Sequence, residues 1–140
     1  MIILDTNVVS EPIKPNSNRR VIEWLDGQAA ETLYLSAISL SELWFGIEIM
    51  AKGKRRDVLH NALGELLPLL FGSRILPFDQ EAARAYGVLV GKAKIAGKTV
   101  SIADGQIAAI ASVHGFAVAT RDEAPFVTLG IQVINPWNKL

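Results

Sequence analysis

MIILDTNVVSE, residues 1–11, is the stretch that decides the fold, because it joins an apolar run directly to an acidic side chain. The run Ile2–Leu4 is short and continuously apolar, which is typical of a parallel strand covered on both faces. It stops at Asp5, and the chain becomes apolar again directly after Asn7. We therefore asked whether Asp5 only begins a helix or serves a site at the end of the strand.

The rest of the chain repeats this alternation of short apolar runs and longer helical patterns. The predicted strands are residues 2–4, 32–35, 74–78, 116–119 and 132–134. The predicted helices are residues 18–26, 40–51, 55–70, 79–96 and 101–115. Alternating strands and helices predict an α/β fold, with a parallel sheet covered by helices on both faces.

Composition limits the classes of protein that the chain can be. A length of 140 residues with half of them hydrophobic predicts a single domain, residues 1–140, and excludes disorder. The absence of cysteine excludes disulfides, thiolate metal sites and cysteine nucleophiles. Fourteen basic residues balance 14 acidic ones, so nucleic-acid binding would need a local patch. Neither a membrane span nor a signal peptide is indicated, and we expect a soluble, cytoplasmic protein.

Four acidic residues are predicted to lie at one edge of the sheet. In an open parallel sheet, ligands bind beyond the carboxyl ends of the strands, where loops and helix N-termini lie. Asp5 ends the first strand, and Asp122 follows the fourth. Glu42 and Asp104 are each predicted in the first turn of a helix. All four can reach the same edge.

Each of these acids also has a purely structural explanation. Ser39-Leu40-Ser41-Glu42 has the pattern of a capping box, and Ser101-Ile102-Ala103-Asp104 resembles one with Asp in place of Glu. Acids in the first turn of a helix also suit its dipole. Asp5 could cap a helix that begins at Thr6, and Asp122 could be a turn residue.

Taken together, the four carboxylates favour a metal site. Clustered carboxylates repel one another and lose solvation, so they usually persist because a divalent cation lies among them. Ligation by carboxylates alone selects hard cations such as Mg²⁺ or Mn²⁺ over zinc. Such ions activate water and stabilise the leaving oxygen in phosphodiester cleavage. His60 and His114 lie on separate predicted helices, so the sequence indicates neither a histidine-dependent ribonuclease nor a Ser-His-Asp hydrolase.

Four motifs occur in order along the chain with appropriate gaps, and together they resemble the pattern of a known family. They are Ile3-Leu4-Asp5-Thr6-Asn7, residues 39–42, Ala103-Asp104 followed by Ile107-Ala108-Ala109, and Ala119-Thr120-Arg121-Asp122. The chain resembles a PIN domain, specifically the VapC toxins of the FitB-like branch. The resemblance covers nearly all of the chain, including Asn135-Pro136-Trp137, and it implies a three-layer domain with a central parallel sheet of about five strands.

The resemblance also implies a function. It is that of a toxin in a type II toxin–antitoxin system, a Mg²⁺- or Mn²⁺-dependent endoribonuclease inhibited by a cognate antitoxin of the VapB or FitA type. DNA would be contacted only indirectly, through the antitoxin, and the toxin would be a homodimer. Trp44 is predicted to belong to the core, whereas Phe45 lies off that apolar stripe of the helix. By the same resemblance, Phe45 would line the groove that takes an antitoxin segment.

Roles for individual residues follow by position from the same resemblance. The catalytic metal ligands would be Asp5, Glu42 and Asp104, with Asp122 as the fourth acid. The residues that hydrogen-bond around them would be Thr6, Asn7 and Thr120.

One departure from the family pattern concerns the fourth acid. Many relatives have Thr-Arg-Asn and an acid three residues beyond that Asn, but here that place is Pro125. Asp122 occupies the Asn place, and Glu123 follows it. Arg121 is either an ion-pair partner of a neighbouring acid or a ligand for a substrate phosphate, which Arg can hold with two hydrogen bonds.

Two other functions are alternatives for this sequence. A receiver-type phosphoacceptor domain would use Asp79, after residues 75–78, but it needs paired acids after the first strand and a Lys-Pro near the end. The chain has one acid, Asp5, and Asn135-Pro136. A non-catalytic interaction module with the PIN-like fold is the other alternative. A dinucleotide-binding domain is set aside because no Gly-rich turn follows the first strand.

Overall fold

Five short strands and seven helices alternate along residues 1–138, the part of the chain that the computed structural model describes. The elements are β1 (Ile2–Leu4), α1 (Thr6–Ser10), α2 (Arg19–Asp26), β2 (Leu33–Ser36), α3 (Ala37–Glu48), α4 (Lys54–Phe71), β3 (Ile75–Leu76), α5 (Gln80–Ile95), α6 (Ile102–His114), β4 (Ala117–Ala119), α7 (Ala124–Thr128) and β5 (Val133–Ile134). Single 3₁₀ turns occupy Glu11–Ile13 and Ala30–Thr32. Within this part of the chain, no helix is both long and apolar enough to cross a membrane.

All five strands pair in parallel, in the order β3-β2-β1-β4-β5. The chain builds outward from β1 through β2 to β3, and then returns to the other side of β1 with β4 and β5. The strand order therefore reverses beside β1. In an open parallel sheet this switch point, outside the carboxyl ends of the strands, is where ligands bind. The predicted parallel sheet is confirmed, and its switch point lies between β1 and β4.

Two hydrophobic cores cover the two faces of the sheet. Because successive side chains of a strand point to opposite faces, neighbours on β1 belong to different cores. Ile3 is fully buried against residues of α5, α6 and α7. Leu4 is buried against residues of α1, α2, α3 and α4. The prediction of helices on both faces is thereby confirmed, and β1 is held rigidly between them.

Helix α6 lies unusually close to α5, and the reason is Gly105. A Cβ atom at Gly105 would lie 2.7 Å from Cε2 of Tyr86 and 2.9 Å from Cγ2 of Val90. Real Cβ atoms essentially never approach that closely, so any other residue would require the side chains of Tyr86 and Val90 to shift. The close packing of Gly105 against Tyr86 and Val90 of α5 sets the position of the preceding residue, Asp104, at the start of α6.

Helix α3 begins earlier than the sequence predicted. Its N-cap is Ser36, whose Oγ accepts the backbone N–H of Ser39 at 3.0 Å. The helix starts at Ala37, so the predicted capping box from Ser39 to Glu42 is wrong. Glu42 lies in the second turn and not in the first.

Other differences from the predicted elements are smaller. The strands predicted at residues 74–78 and 132–134 contract to Ile75–Leu76 and Val133–Ile134. Helix α7 was not predicted, because its five residues are too few to show a helical period.

Candidate metal centre at the carboxyl edge of the sheet

A cavity of about 340 Å³ opens where β1 and β4 end. The residues that line it are Asp5, Thr6, Asn7, Ser10, Glu42, Asp104 and Asp122. The structure therefore brings all four of the predicted acids to one place, although they come from four separate segments. Among residues 1–138, no basic side chain lines this cavity.

Asp5 is the buried acid of this cavity, with only 6% of its surface exposed. Its Oδ1 accepts the backbone N–H of Thr6 at 2.8 Å, so Asp5 is also the N-cap of α1. Its Oδ2 accepts the hydroxyl of Thr120 at 2.8 Å, across the switch point from the end of β4. Both carboxylate oxygens are thus held in place, and the capping and cavity-lining roles of Asp5 coexist.

The electrostatic surroundings of Asp5 oppose its charge. Burial raises the pKa of this carboxyl above its ordinary value of 3.8. The hydrogen bonds from Thr120 and Thr6 lower the pKa in part, and the charges of Asp104 and Glu42 raise it again. The ionised carboxylate is therefore disfavoured in this cavity, and a bound cation would relieve that cost.

Glu42 and Asp122 are exposed and are tied to Asp5 through two threonines. The hydroxyl of Thr6 donates to Oε1 of Glu42 at 2.9 Å. The backbone N–H of Asp122 donates to Oγ1 of Thr120 at 3.0 Å. Each threonine contacts Asp5 as well, so one hydrogen-bonded chain runs from Glu42 to Asp122 through the buried acid.

Asp104 is half-buried in the first turn of α6. Ser101 is the N-cap, and its Oγ accepts the backbone N–H of Asp104 at 3.2 Å. The predicted cap is confirmed, and it uses the backbone of Asp104 while the carboxylate lines the cavity.

The loop after β4 distinguishes the two neighbouring acids. Asp122 lines the cavity, whereas Oε2 of Glu123 accepts the side-chain amide of Asn135 at 2.9 Å. Oδ1 of Asn7 accepts the backbone N–H of Arg121 at 3.3 Å and so joins this loop to α1.

Ser10 is a lining residue that the sequence did not single out. Its hydroxyl donates to the carbonyl of Asn7 at 3.5 Å, one turn earlier on α1. The spacing of three residues from Asn7 was the available signal, because residues three apart lie on one face of a helix.

The lining residues match a hard divalent cation in chemistry. Every side chain that lines the cavity, including the amide of Asn7, has an oxygen atom that can coordinate a metal ion. Carboxylate oxygens suit Mg²⁺ and Mn²⁺. As the side chains now stand, no three acidic or histidine side chains within residues 1–138 converge into a group that could hold a metal. Glu42 and Asp122 are exposed, so they can turn toward a cation without repacking the core.

The two histidines and Asp79 lie outside this cavity. His60 contacts the ring of Trp44, and His114 lies in the last turn of α6 against Phe116. Asp79 is the N-cap of α5, where its Oδ1 accepts the backbone N–H of Ala82 at 2.9 Å. It therefore has a structural role in this fold.

Comparisons with known proteins place this geometry in a family. The model of the PIN domain family matches residues 2–130. The chain is 54% identical over 138 residues to the VapC ribonuclease Y4jK of Sinorhizobium fredii, covering 98% of each chain. It is 46% identical over 138 residues to the toxin FitB of Neisseria gonorrhoeae, covering 99% of each. A structure of FitAB bound to an IR36 DNA fragment matches with a TM-score of 0.96 at 44% identity, covering 100% of this chain and 98% of that one.

The TM-score of 0.96 shows that the two chains share the same fold. The matches span almost the whole chain, and the identities lie far above those at which only a fold is shared. The chain therefore belongs to the PIN-domain family, in the branch that holds the VapC and FitB toxins.

Proposed function

We propose that this protein is the toxin of a toxin–antitoxin pair and a divalent-metal-dependent endoribonuclease. The observation that carries the proposal is that four carboxylates line one cavity at the switch point of the sheet. The relative from Sinorhizobium fredii is named as a VapC ribonuclease, which attributes nuclease activity to that protein. The cavity supplies a chemical reason to extend it to this chain.

The proposed metal ligands are Asp5, Glu42, Asp104 and Asp122. When bound there, Mg²⁺ or Mn²⁺ would activate water and neutralise charge that develops on the phosphodiester. The residues of the chain itself hold the ligands: Thr120 and Thr6 fix both oxygens of Asp5. Because position decides how well a carboxylate binds a metal, these two bonds are part of the site.

Asp122 is the better candidate for the fourth acid. It lines the cavity, and its backbone is tied to Thr120, the same residue that holds Asp5. Glu123 is engaged by Asn135 instead. We infer that the departure from the family pattern leaves the fourth acid at Asp122.

The proposed partners are single-stranded or looped RNA and a cognate antitoxin of the VapB or FitA type. Phe45 on α3 and Ile49, the residue that follows this helix, are large apolar side chains that are 64% and 67% exposed. An apolar antitoxin segment would cover them. Contact with DNA would then come through the antitoxin, and a homodimer of the toxin stays a prediction.

RNA cleavage tests the enzymatic proposal. Purified protein is incubated with unstructured RNA in Mn²⁺, in Mg²⁺ and in EDTA, beside the variants Asp104→Asn and Asp79→Asn. We expect cleavage with either metal, none in EDTA, and loss only in Asp104→Asn, because Asp79 merely caps α5. Cleavage that persists unchanged in EDTA would refute the mechanism.

Two further measurements test the toxin assignment and its alternative. Expression alone should arrest growth, and co-expression of the frame immediately upstream should relieve the arrest. Harmless expression without a co-purifying partner would remove the support for a toxin. A non-catalytic interaction module would leave RNA intact and show no response of its stability to Mn²⁺.

A further inference from the structure

The segment Asn135-Pro136-Trp137, directly after β5, crosses the loop that carries Asp122. Asn135 bonds in two directions: its Nδ2 donates to Glu123 at 2.9 Å, and its Oδ1 accepts the backbone N–H of Trp137 at 3.0 Å. The carbonyl of Trp137 accepts Nη1 of Arg20 at 3.3 Å. The half-buried indole also packs against the core on the α1–α4 side of the sheet. Trp137 is therefore anchored to the loop that carries Asp122, one of the residues that line the acidic cavity.

The side chain of Arg121 rests on this anchored ring. The guanidinium carbon lies 5.3 Å from the centroid of the Trp137 ring, within the range of a cation–π contact. Arg121 is exposed, and among residues 1–138 it forms no ion pair within 4.0 Å. Within that range, Arg121 thus forms no direct ion pair with a neighbouring acid, although its charge adds to the hydrogen bond from Asn18 and to Lys14 in lowering the pKa of Glu11. The guanidinium of Arg121 is held in place by the Trp137 ring, and its hydrogen-bond donors remain available to a ligand.

The acidic cavity needs such a cation nearby. Four carboxylates repel a phosphodiester chain, and the protein has no net charge that would attract one from a distance. Three other cations, Lys14, Arg19 and Arg56, already contact glutamates. Arg121 precedes Asp122 directly and is free to bind phosphate with its planar fork of donors.

We propose that Trp137 is a positioning residue for RNA binding: its indole holds Arg121 so that the guanidinium receives a phosphate next to the acidic cavity. The inference rests on the proposed function, because it names how the same site holds its RNA. It predicts that Arg121 and Trp137 act as one unit. Loss of the ring should therefore resemble loss of the charge.

The experiment measures binding of a fluorescein-labelled single-stranded RNA by anisotropy in EDTA, as a function of NaCl concentration. The variants are Arg121→Gln, Trp137→Leu and the double variant, with Arg84→Gln as a control. Arg84 is an exposed arginine on α5 that lines a different cavity. The slope of log K against log salt is negative, and removing one phosphate contact from single-stranded RNA should make it shallower by about 0.7.

We expect this shallower salt dependence in Arg121→Gln and in Trp137→Leu. The double variant should show no further change of slope, and Arg84→Gln should keep the slope of the parent. Trp137→Phe should restore binding, because it keeps an aromatic face. In cleavage with Mn²⁺, both single variants should raise KM more than they lower kcat. If Trp137→Leu fails to fold, Asn135→Ala, which releases the anchor of Trp137, should weaken binding in the parent and not in Arg121→Gln.

Three results would overturn the inference. The first is a parent salt slope in Arg121→Gln. The second is additive losses in the double variant, and the third is a Trp137 effect that appears only in thermal stability. If the parent cleaves RNA while these variants keep its KM, this inference alone fails. A parent that neither binds nor cleaves RNA contradicts the proposed function as well.

Discussion

Asp5 and Glu11 are both buried carboxylates, one at each end of α1, and their surroundings differ in kind. They are 6% and 4% exposed. Oε1 of Glu11 accepts the backbone N–H of Asn18 at 2.9 Å, and its Oε2 lies 3.2 Å from Nζ of Lys14. The hydrogen bond from Asn18 is the main reason that the pKa of Glu11 lies below its ordinary 4.5, whereas burial raises that of Asp5.

This difference separates two uses of a buried acid. Glu11 has a donor and a cation beside it, so its charge stabilises the joint between α1 and α2. Asp5 has two hydrogen bonds but faces Asp104 and Glu42, so its charge is a cost to the fold. A fold that retains such a cost does so most simply because the charge is needed for binding.

The largest expected effect is opposite for the two acids. Asp5→Asn should lower RNA cleavage by about 100- to 1,000-fold, as loss of a charge-stabilising group does, without lowering stability in EDTA. Glu11→Gln should lower the free energy of unfolding by about 1 kcal/mol, because the amide oxygen can still accept from Asn18 but the charge on that hydrogen bond and the ion pair with Lys14 are lost. Its cleavage rate per folded molecule should stay at the parent level. Urea unfolding and RNA cleavage of both variants check this, and exchanged phenotypes would contradict it.

The next comparison concerns the neighbouring acids after β4. Asp122→Asn should reduce cleavage by about 10- to 100-fold, as altered metal-site carboxylates do. Glu123→Gln should leave the chemical step almost unchanged, because that side chain is bonded to Asn135. Single-turnover cleavage rates in Mn²⁺ measure both. A larger loss in Glu123→Gln would show that the fourth ligand is Glu123, and equal losses would contradict the preference for Asp122.

Gly105 tests whether the position of Asp104 depends on helix packing. Gly105→Ala should cost about 1–3 kcal/mol of stability, because the added methyl meets Tyr86 and Val90. It should reduce cleavage too, because Asp104 precedes it. Gly91→Ala on α5 is the matched control, since a Cβ there has no neighbour within 4 Å and alanine favours a helix. Equal stability of both variants would mean that the close approach of α6 to α5 is relaxed in solution.

The smallest expected effect is a pair of opposite pH dependences in EDTA. Since the pKa of Asp5 is raised on folding, the parent loses stability relative to Asp5→Asn as pH rises from 3.8 through that higher pKa. Above it, the variant should be more stable by about 0.5–2 kcal/mol. The pKa of Glu11 is lowered, so the advantage of the parent over Glu11→Gln is present above 4.5 and is lost as pH falls. Urea unfolding across this range should show the two differences with opposite signs.

The positions of Asp5 and Asp104 were predictable because each of these acids follows a local signal. Asp5 directly ends an apolar run, and Asp104 follows a serine cap by three residues. The parallel sheet then brings separate strand ends together by topology alone. Those rules placed Asp5, Asp104 and Asp122 at one edge, whereas Glu42 lines the cavity from the second turn of α3 although its predicted capping box was wrong.

The errors and omissions arose where local signals were ambiguous or absent. Ser36 and Ser39 are both plausible caps, and the buried end of β2 decides in favour of Ser36. The bond from Thr120 to Asp5 joins residues 115 positions apart, so no local pattern could reveal it. The same holds for the stacking of Arg121 on Trp137, which depends on the return of the chain through β5.

The central claim is that the four carboxylates form a divalent-cation site and do not merely cap helices. Thermal unfolding of the parent, of Asp104→Asn and of Asp79→Asn, each in EDTA and in rising Mn²⁺, tests it most directly. Mn²⁺ should stabilise the parent and Asp79→Asn by about 2.7 kcal/mol at 100 times the Kd, and Asp104→Asn much less. In EDTA, Asp104→Asn should be at least as stable as the parent, because repulsion is relieved. A parent that does not respond to Mn²⁺, or an Asp104→Asn variant that responds equally, would contradict the account.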